Sequence, residues 1–111
     1  MTVKELLERK IYEEVSVGDG LSTEISKPYC CDLLSIAMGK APAGSCWVTV
    51  MANVNTLAVA SLTEVACVIV AEGMQLEESF VSKAVQQGIT VLRSSEPVFD
   101  TAYAVQKLLE E

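Results

Sequence analysis

The sequence predicts one three-layer α/β/α domain over residues 1–111, built on a mixed, mostly parallel sheet. Three observations carry that reading. Helical and strand patterns alternate along the chain, the order that yields an α/β fold. Val65 to Val70 is continuously apolar and β-branched, the mark of a strand covered on both faces. And 111 residues suit a single domain with one core.

Each element has a local cause. Thr2 and Glu5 form a capping box, in which the threonine serves the Glu5 amide and the glutamate reaches back. Val3, Leu6, Leu7 and Ile11 follow at helical spacing, so one face is expected to be buried. Gly18-Asp19-Gly20 is a turn. Ser22 to Ser26 reads as extended, ended by Lys27-Pro28 because proline cannot donate to a ladder. Asp32 is placed to cap a short helix through Leu33, Leu34, Ile36 and Ala37, with Gly39 as its stop. After the turn at Pro42-Ala43-Gly44, Cys46 to Met51 reads as a strand. Val48 and Val50 lie on one face, Trp47 and Thr49 on the other.

Asn53 and Asn55 precede a helix through Leu57 to Ala60 that Asn55 is expected to cap. Val65 to Val70 is the central strand, closed by Glu72-Gly73. Glu77 and Glu78 suit the positive end of the next helix. Its buried face is Phe80, Val81, Ala84 and Val85, and Gly88 ends it. Ile89 to Leu92 is a further strand. The last helix starts near Pro97, a residue favoured in a first turn, and buries Val98, Ala102, Val105 and Leu109.

Composition narrows the function. Half of the residues are hydrophobic and the mean hydropathy is +0.36, rich for a domain with so large a share of surface. The longest apolar runs fall far short of the ~20 residues of a spanning helix, and the N-terminus lacks the basic start of a signal peptide. A cytoplasmic protein is expected. The surplus apolar surface points to a homodimer, with Trp47, Tyr29 and the helix from Leu33 to Met38 as the expected interface. A net charge of −7 makes phosphate backbones and anionic lipid poor partners, so neither nucleic acid nor membrane is expected.

There is no histidine, which removes the commonest general acid–base group and metal ligand. The four cysteines, Cys30, Cys31, Cys46 and Cys67, make no CxxC pair and read as structural, reduced thiols, with a redox or metal role for Cys30-Cys31 as the lesser reading. Gly39-Lys40 and Gly44-Ser45 do not make a phosphate-binding GxxxxGK[ST] loop. No catalytic residue, metal site or cofactor is assigned.

Several strings together resemble a known family. They are the helix opening Thr-Val-Lys-Glu-Leu-Leu, Gly18-Asp19-Gly20-Leu21, Cys31-Asp32-Leu33-Leu34 with Met38-Gly39, and the strand Cys46-Trp47-Val48-Thr49-Val50. Asn55 before an Ala-Val-Ala helix, Val68-Ile69-Val70 and Gly88-Ile89-Thr90-Val91-Leu92 complete them. The chain resembles the DRTGG domain family, whose fold is similar to the N-terminal domain of HPr kinase/phosphorylase, over nearly its whole length. Where that family carries Asp-Arg and a Gly-Gly pair, this chain has Ser22 to Pro28, so those residues' roles do not carry over. Members stand alone or sit beside CBS-domain pairs, acetyltransferases or kinases. The resemblance therefore implies a regulatory or binding module, not a reaction.

In a largely parallel sheet the loops after the strands gather at one edge, where α/β folds bind ligands. Here those loops hold Asn53 and Asn55, Glu72 and Gly73, and Arg93, Ser94 and Ser95. A helix N-terminus attracts anions and Arg93 adds a fork-shaped donor. These seven residues are the candidate site for a small anionic ligand. Three functions compete: a non-catalytic ligand-sensing module that binds such a ligand or a partner enzyme, a structural accessory subunit of a metabolic or redox complex, and a small enzyme working through Cys30 or Asp32.

Overall fold

A computed structural model describes residues 1–111. Thr2 caps the first helix, α1 (Val3–Glu8), through the expected capping box. The helix stops before Ile11: Lys10 turns left-handed at φ 56°, and Ile11 stands half exposed. The chain then enters a strand that the sequence reading missed, β1 (Glu13–Ser16). It pairs antiparallel with β5 (Val91–Arg93), Glu13 opposite Arg93.

Between β1 and the next strand the chain turns at Gly18. That turn leaves no room for a Cβ, because one would overlap the Gly88 carbonyl. The segment Ser22 to Ser26 is not a sheet strand. It bridges the N-terminus instead, with Val3 donating to the Thr23 carbonyl and Ile25 to the Met1 carbonyl. Pro28 does not end an extended piece; it begins β2 (Pro28–Cys30), the edge strand where a first-position proline costs no ladder bond.

Parallel strands β2, β3 (Cys46–Thr49), β4 (Cys67–Val70) and β5 follow in register, giving the sheet order β1-β5-β4-β3-β2. Every residue of β3 and β4 is buried, as expected for strands covered on both faces. Helices α2 (Leu34–Lys40), α3 (Val54–Thr63) and α4 (Glu78–Gln87) make the successive crossovers. Right-handed crossovers in one direction place all three on the same face. Their residues Ala37, Leu57, Val59, Ala60, Phe80 and Ala84 pack there with Trp47, Val68, Val70 and Val91. The opposite face takes α1 and α5 (Val98–Leu109), where Val3, Leu6, Ala102 and Val105 meet Cys46, Val48, Cys67, Ile69 and Leu92. The architecture is the expected three-layer α/β/α fold with β4 at its centre. No helix is long and apolar enough to cross a membrane.

Several local expectations are corrected. Asp32 does not cap α2, whose N-cap Leu33 makes no side-chain cap bond. Gly39 lies within α2, which runs on to Lys40. Asn53, not Asn55, caps α3. Val85 is largely exposed on α4, because only Phe80 and Ala84 point squarely inward there. Trp47 is fully buried, with its indole N–H on the Cys31 carbonyl at 3.0 Å, so it is core and not interface.

Candidate functional site

The loops after β3, β4 and β5 all open at one sheet edge, so the candidate residues share that edge. The topology also divides them. The chain leaves β4 toward α4 on one face and leaves β5 toward α5 on the other. Such a parting is where open α/β sheets form a ligand crevice.

Here the crevice is laced shut. Glu72 donates its N–H to the Glu96 carbonyl at 2.8 Å, and Gly73 donates to the Ser94 carbonyl at 2.9 Å. Glu72 and Gly73 both adopt left-handed backbone, at φ 65° and 63°. The Glu72 carboxylate accepts the Val98 N–H at 2.9 Å. Ser94 is buried, its hydroxyl shared with Thr101 at 2.8 Å. Glu72, Gly73, Arg93 and Ser94 are thus brought together, but largely to hold one another.

Asn53 and Asn55 lie apart from that group. They follow β3, two strand spacings from β5, which is roughly 10 Å. The Asn53 side chain accepts from Asn55 N and Thr56 N at 2.9 and 3.2 Å, which occupies it as a cap. Ser95 is exposed and lines a small pocket of about 230 Å³ with Tyr12, Glu13 and Glu96.

Arg93 is partly buried, with 27% of its side chain exposed. Its Nε donates to the Met74 carbonyl at 2.8 Å, one Nη to the Gly73 carbonyl at 3.0 Å, and the other Nη to Glu13 Oε1 at 3.2 Å. It is a clamp between β1, β5 and the loop after β4. It also forms one end of a pocket of about 440 Å³, with Val15, Leu76 and Val81 as the apolar wall and Gln75, Glu13 and Glu14 as polar groups. That volume lies within the range of small-molecule sites. The sequence reading missed Glu13 and this wall. The only signal was the alternation Val15, Val17 beside two glutamates.

The two candidate reactive groups are placed differently from expectation. Asp32 Oδ1 accepts the Thr49 hydroxyl at 2.8 Å and the Val50 N–H at 3.0 Å, stitching the end of β2 to β3. Cys30 is exposed, yet burial of part of its side chain, and then the Asp32 charge, push its thiol above the ordinary range. A raised thiol holds less of the nucleophilic thiolate.

No protein-family model and no curated protein matches the sequence. A solved structure matches the fold. It is the CBS and DRTGG domains of the regulatory region of Clostridium perfringens pyrophosphatase, complexed with the activator diadenosine tetraphosphate. It superposes with a TM-score of 0.71 at 15% identity, over 93% of this chain and 44% of that one. This chain spans less than half the length of that structure. The likeness is one of fold, and it supports a DRTGG-like fold for this chain.

Proposed function

We propose that this chain is a non-catalytic regulatory module that senses a small anionic ligand and relays it to a partner enzyme. The observation that carries the reading is the fold shared over 93% of the chain with a regulatory region whose structure holds an activator. The strings quoted above resemble the DRTGG family, and through that family's fold the reading includes a likeness to the N-terminal domain of HPr kinase/phosphorylase. Cytoplasmic residence, two-fold self-association and indifference to nucleic acid belong to the same reading, the last supported by the net charge of −7.

The seat we assign to the ligand is the pocket at Arg93, with the Gly73 carbonyl holding the guanidinium; Ser94 and Ser95 line the separate smaller pocket that Arg93 also touches, and Glu72 supports the loop through Val98. Two carbonyls fix the guanidinium in place, so its orientation is set before a ligand arrives. Its third partner, Glu13, is 62% exposed. An exposed ion pair is worth only about 0.2–1 kcal/mol, so a ligand carboxylate or phosphate can take the place of Glu13. Asn53 and Asn55 border the same edge as a capped helix start.

Thermal shift and calorimetry with orthophosphate, pyrophosphate, acetate and ATP test this. At least one probe is expected to raise the melting temperature. Glu13→Gln is expected to tighten that binding by removing the competing carboxylate, and Arg93→Gln to abolish it. Binding that ignores Arg93→Gln would refute the seat. No shift with any probe would refute ligand sensing and favour the structural accessory subunit, a reading for which the exposed apolar residues of α2 and α3 speak.

A further inference from the structure

The pocket at Arg93 carries more negative charge than a seat for a simple anion needs. Arg93 is its one cation, while Glu13 and Glu14 both line it as carboxylates, one positive group against two negative ones. Glu13 is engaged with Arg93 at 3.2 Å, directly opposite it in the register of β1 and β5. Glu14 is exposed and joins no ion pair.

The backbone shows why both carboxylates border one pocket. In a regular strand successive side chains turn to opposite faces. Strand β1 slips register between Glu14 and Ser16, so Val15 is an extra residue against β5. A bulge of this kind re-aims the side chains around it. Three consecutive residues, Glu13, Glu14 and Val15, therefore line the same space. Leu76 and Val81 complete the wall, and with Val15 they are partly buried against the core on the α4 face. The pocket thus offers a cation, an unpaired carboxylate and an aliphatic surface together.

We infer that its ligand is a zwitterion, an α-amino acid with an aliphatic side chain. This rests on the seat at Arg93 and sets the charge and the body of what sits there. The ligand carboxylate replaces Glu13 on the guanidinium, which the Met74 and Gly73 carbonyls hold in place. The ammonium goes to Glu14. An α-amino acid carries both charges on one carbon, and the residue paired with Arg93 is the immediate neighbour of Glu14, so the two complementary charges are offered side by side. The ligand side chain then lies on Val15, Leu76 and Val81. A carboxylate without an ammonium would answer Arg93 and leave Glu14 facing a like charge, which opposes binding. The volume of about 440 Å³ also leaves room for an apolar body, which acetate and orthophosphate lack. The smaller pocket that Arg93 also lines has two carboxylates as well, Glu13 and Glu96, but only about 230 Å³ and Ile11 as its sole aliphatic group. Glu96 is therefore the control.

Calorimetry on the full chain with L-leucine, isocaproate, isoamylamine and orthophosphate decides the matter. Isocaproate is leucine without the ammonium, and isoamylamine is leucine without the carboxylate. L-leucine is expected to bind about tenfold more tightly than isocaproate, the worth of one hydrogen bond to a charged group. Isoamylamine is expected not to bind. Glu14→Gln should weaken leucine by the same factor and tighten isocaproate, because it removes a like charge. Glu96→Gln should leave leucine binding unchanged. Glu14 is exposed, and circular dichroism is expected to show unchanged folding; were Glu14→Gln not to fold, the comparison of leucine with isocaproate on the wild type still decides. Isocaproate binding as tightly as leucine, or leucine unmoved by Glu14→Gln, overturns the amino acid and leaves the anion seat standing. Leucine binding lost in Glu96→Gln overturns it too, by moving the ligand to the smaller pocket. Leucine failing where orthophosphate binds overturns the amino acid alone, and failure of every probe takes the seat at Arg93 with it.

Discussion

Glu72 lends its carboxylate to the backbone N–H of Val98 at 2.9 Å, so the loop after β4 caps the helix that follows β5. Helix α5 needs that help, because its own N-cap is Pro97 and makes no side-chain cap bond. The first N–H groups of any helix lack partners within it, and an anion there also meets the positive end of the helix dipole. Glu72→Ala is expected to cost about 1 kcal/mol, the usual worth of a lost cap. Glu72→Gln keeps an oxygen acceptor and should lose less. Urea unfolding midpoints of the two variants check the order.

Two asparagines near α3 separate in the same way. Asn53 Oδ1 takes the Asn55 and Thr56 amides, whereas Asn55 is already the second residue of the helix, two positions past the cap, and is exposed. Asn53→Ala should therefore cost about 1 kcal/mol, and Asn55→Ala should stay within about 0.5 kcal/mol of wild type, as surface changes do. Equal losses in chemical denaturation would contradict the cap assignment.

The parts of the fold legible in the sequence are those written in local signals. Val68, Ile69 and Val70 announce a doubly covered strand by composition alone. Gly88 announces a helix end, and it does adopt the left-handed C-cap at φ 69°. What escaped depends on distant residues. β1 exists because Glu13 to Ser16 pair with β5, and two adjacent glutamates hide the alternation of an edge strand. Ile11 falls at helical spacing by chance, after the helix has stopped at Glu8. Arg93 stands out in the sequence as a fork-shaped donor, but two of its three partners are backbone carbonyls of Gly73 and Met74, and the third lies 80 residues away. Side-chain chemistry is printed in a sequence; the oxygen atoms that a fold aims at it are not.

The cysteines give a reading of burial that needs no structure determination. Cys46 and Cys67 are buried and paired in register across β3 and β4. Their mutual hydrogen bond, and then burial, push the Cys46 thiol well above the ordinary range. Cys30 is exposed and Cys31 partly so. With a disulfide reagent such as DTNB at neutral pH, no more than Cys30 and Cys31 should react in the native protein. Cys46 and Cys67 should appear only in denaturant. Cys30 should also react more slowly than a free thiol, because its raised pKa leaves less thiolate. Four fast thiols in the folded protein would contradict the assigned burial.

Tyr12 carries the alkaline limit of the fold. Its hydroxyl donates to the Thr101 carbonyl at 3.1 Å, beneath α5 and beside the face that holds Cys46 and Cys67. Burial, with the neighbours Cys46, Cys67 and Glu96 adding to it, pushes the phenol up to about 12 from an ordinary 10.0. The neutral phenol is the form that the folded state favours. In the unfolded chain the same group ionises near pH 10, so above that value the unfolded state holds fewer protons than the folded one. Stability that depends on a neutral Tyr12 is therefore complete below pH 10 and drains away as the pH rises toward 12. Tyr12→Phe removes the titrating group along with its hydrogen bond. At pH 7 it should be the less stable protein, by about 1 kcal/mol for the lost bond. Between pH 10 and 12 its stability should fall less steeply than that of the wild type, so the gap between the two narrows. Urea denaturation across that range measures both curves. Parallel curves would show that Tyr12 ionises equally readily in the folded and unfolded chain, and that the contact with α5 does not hold its proton.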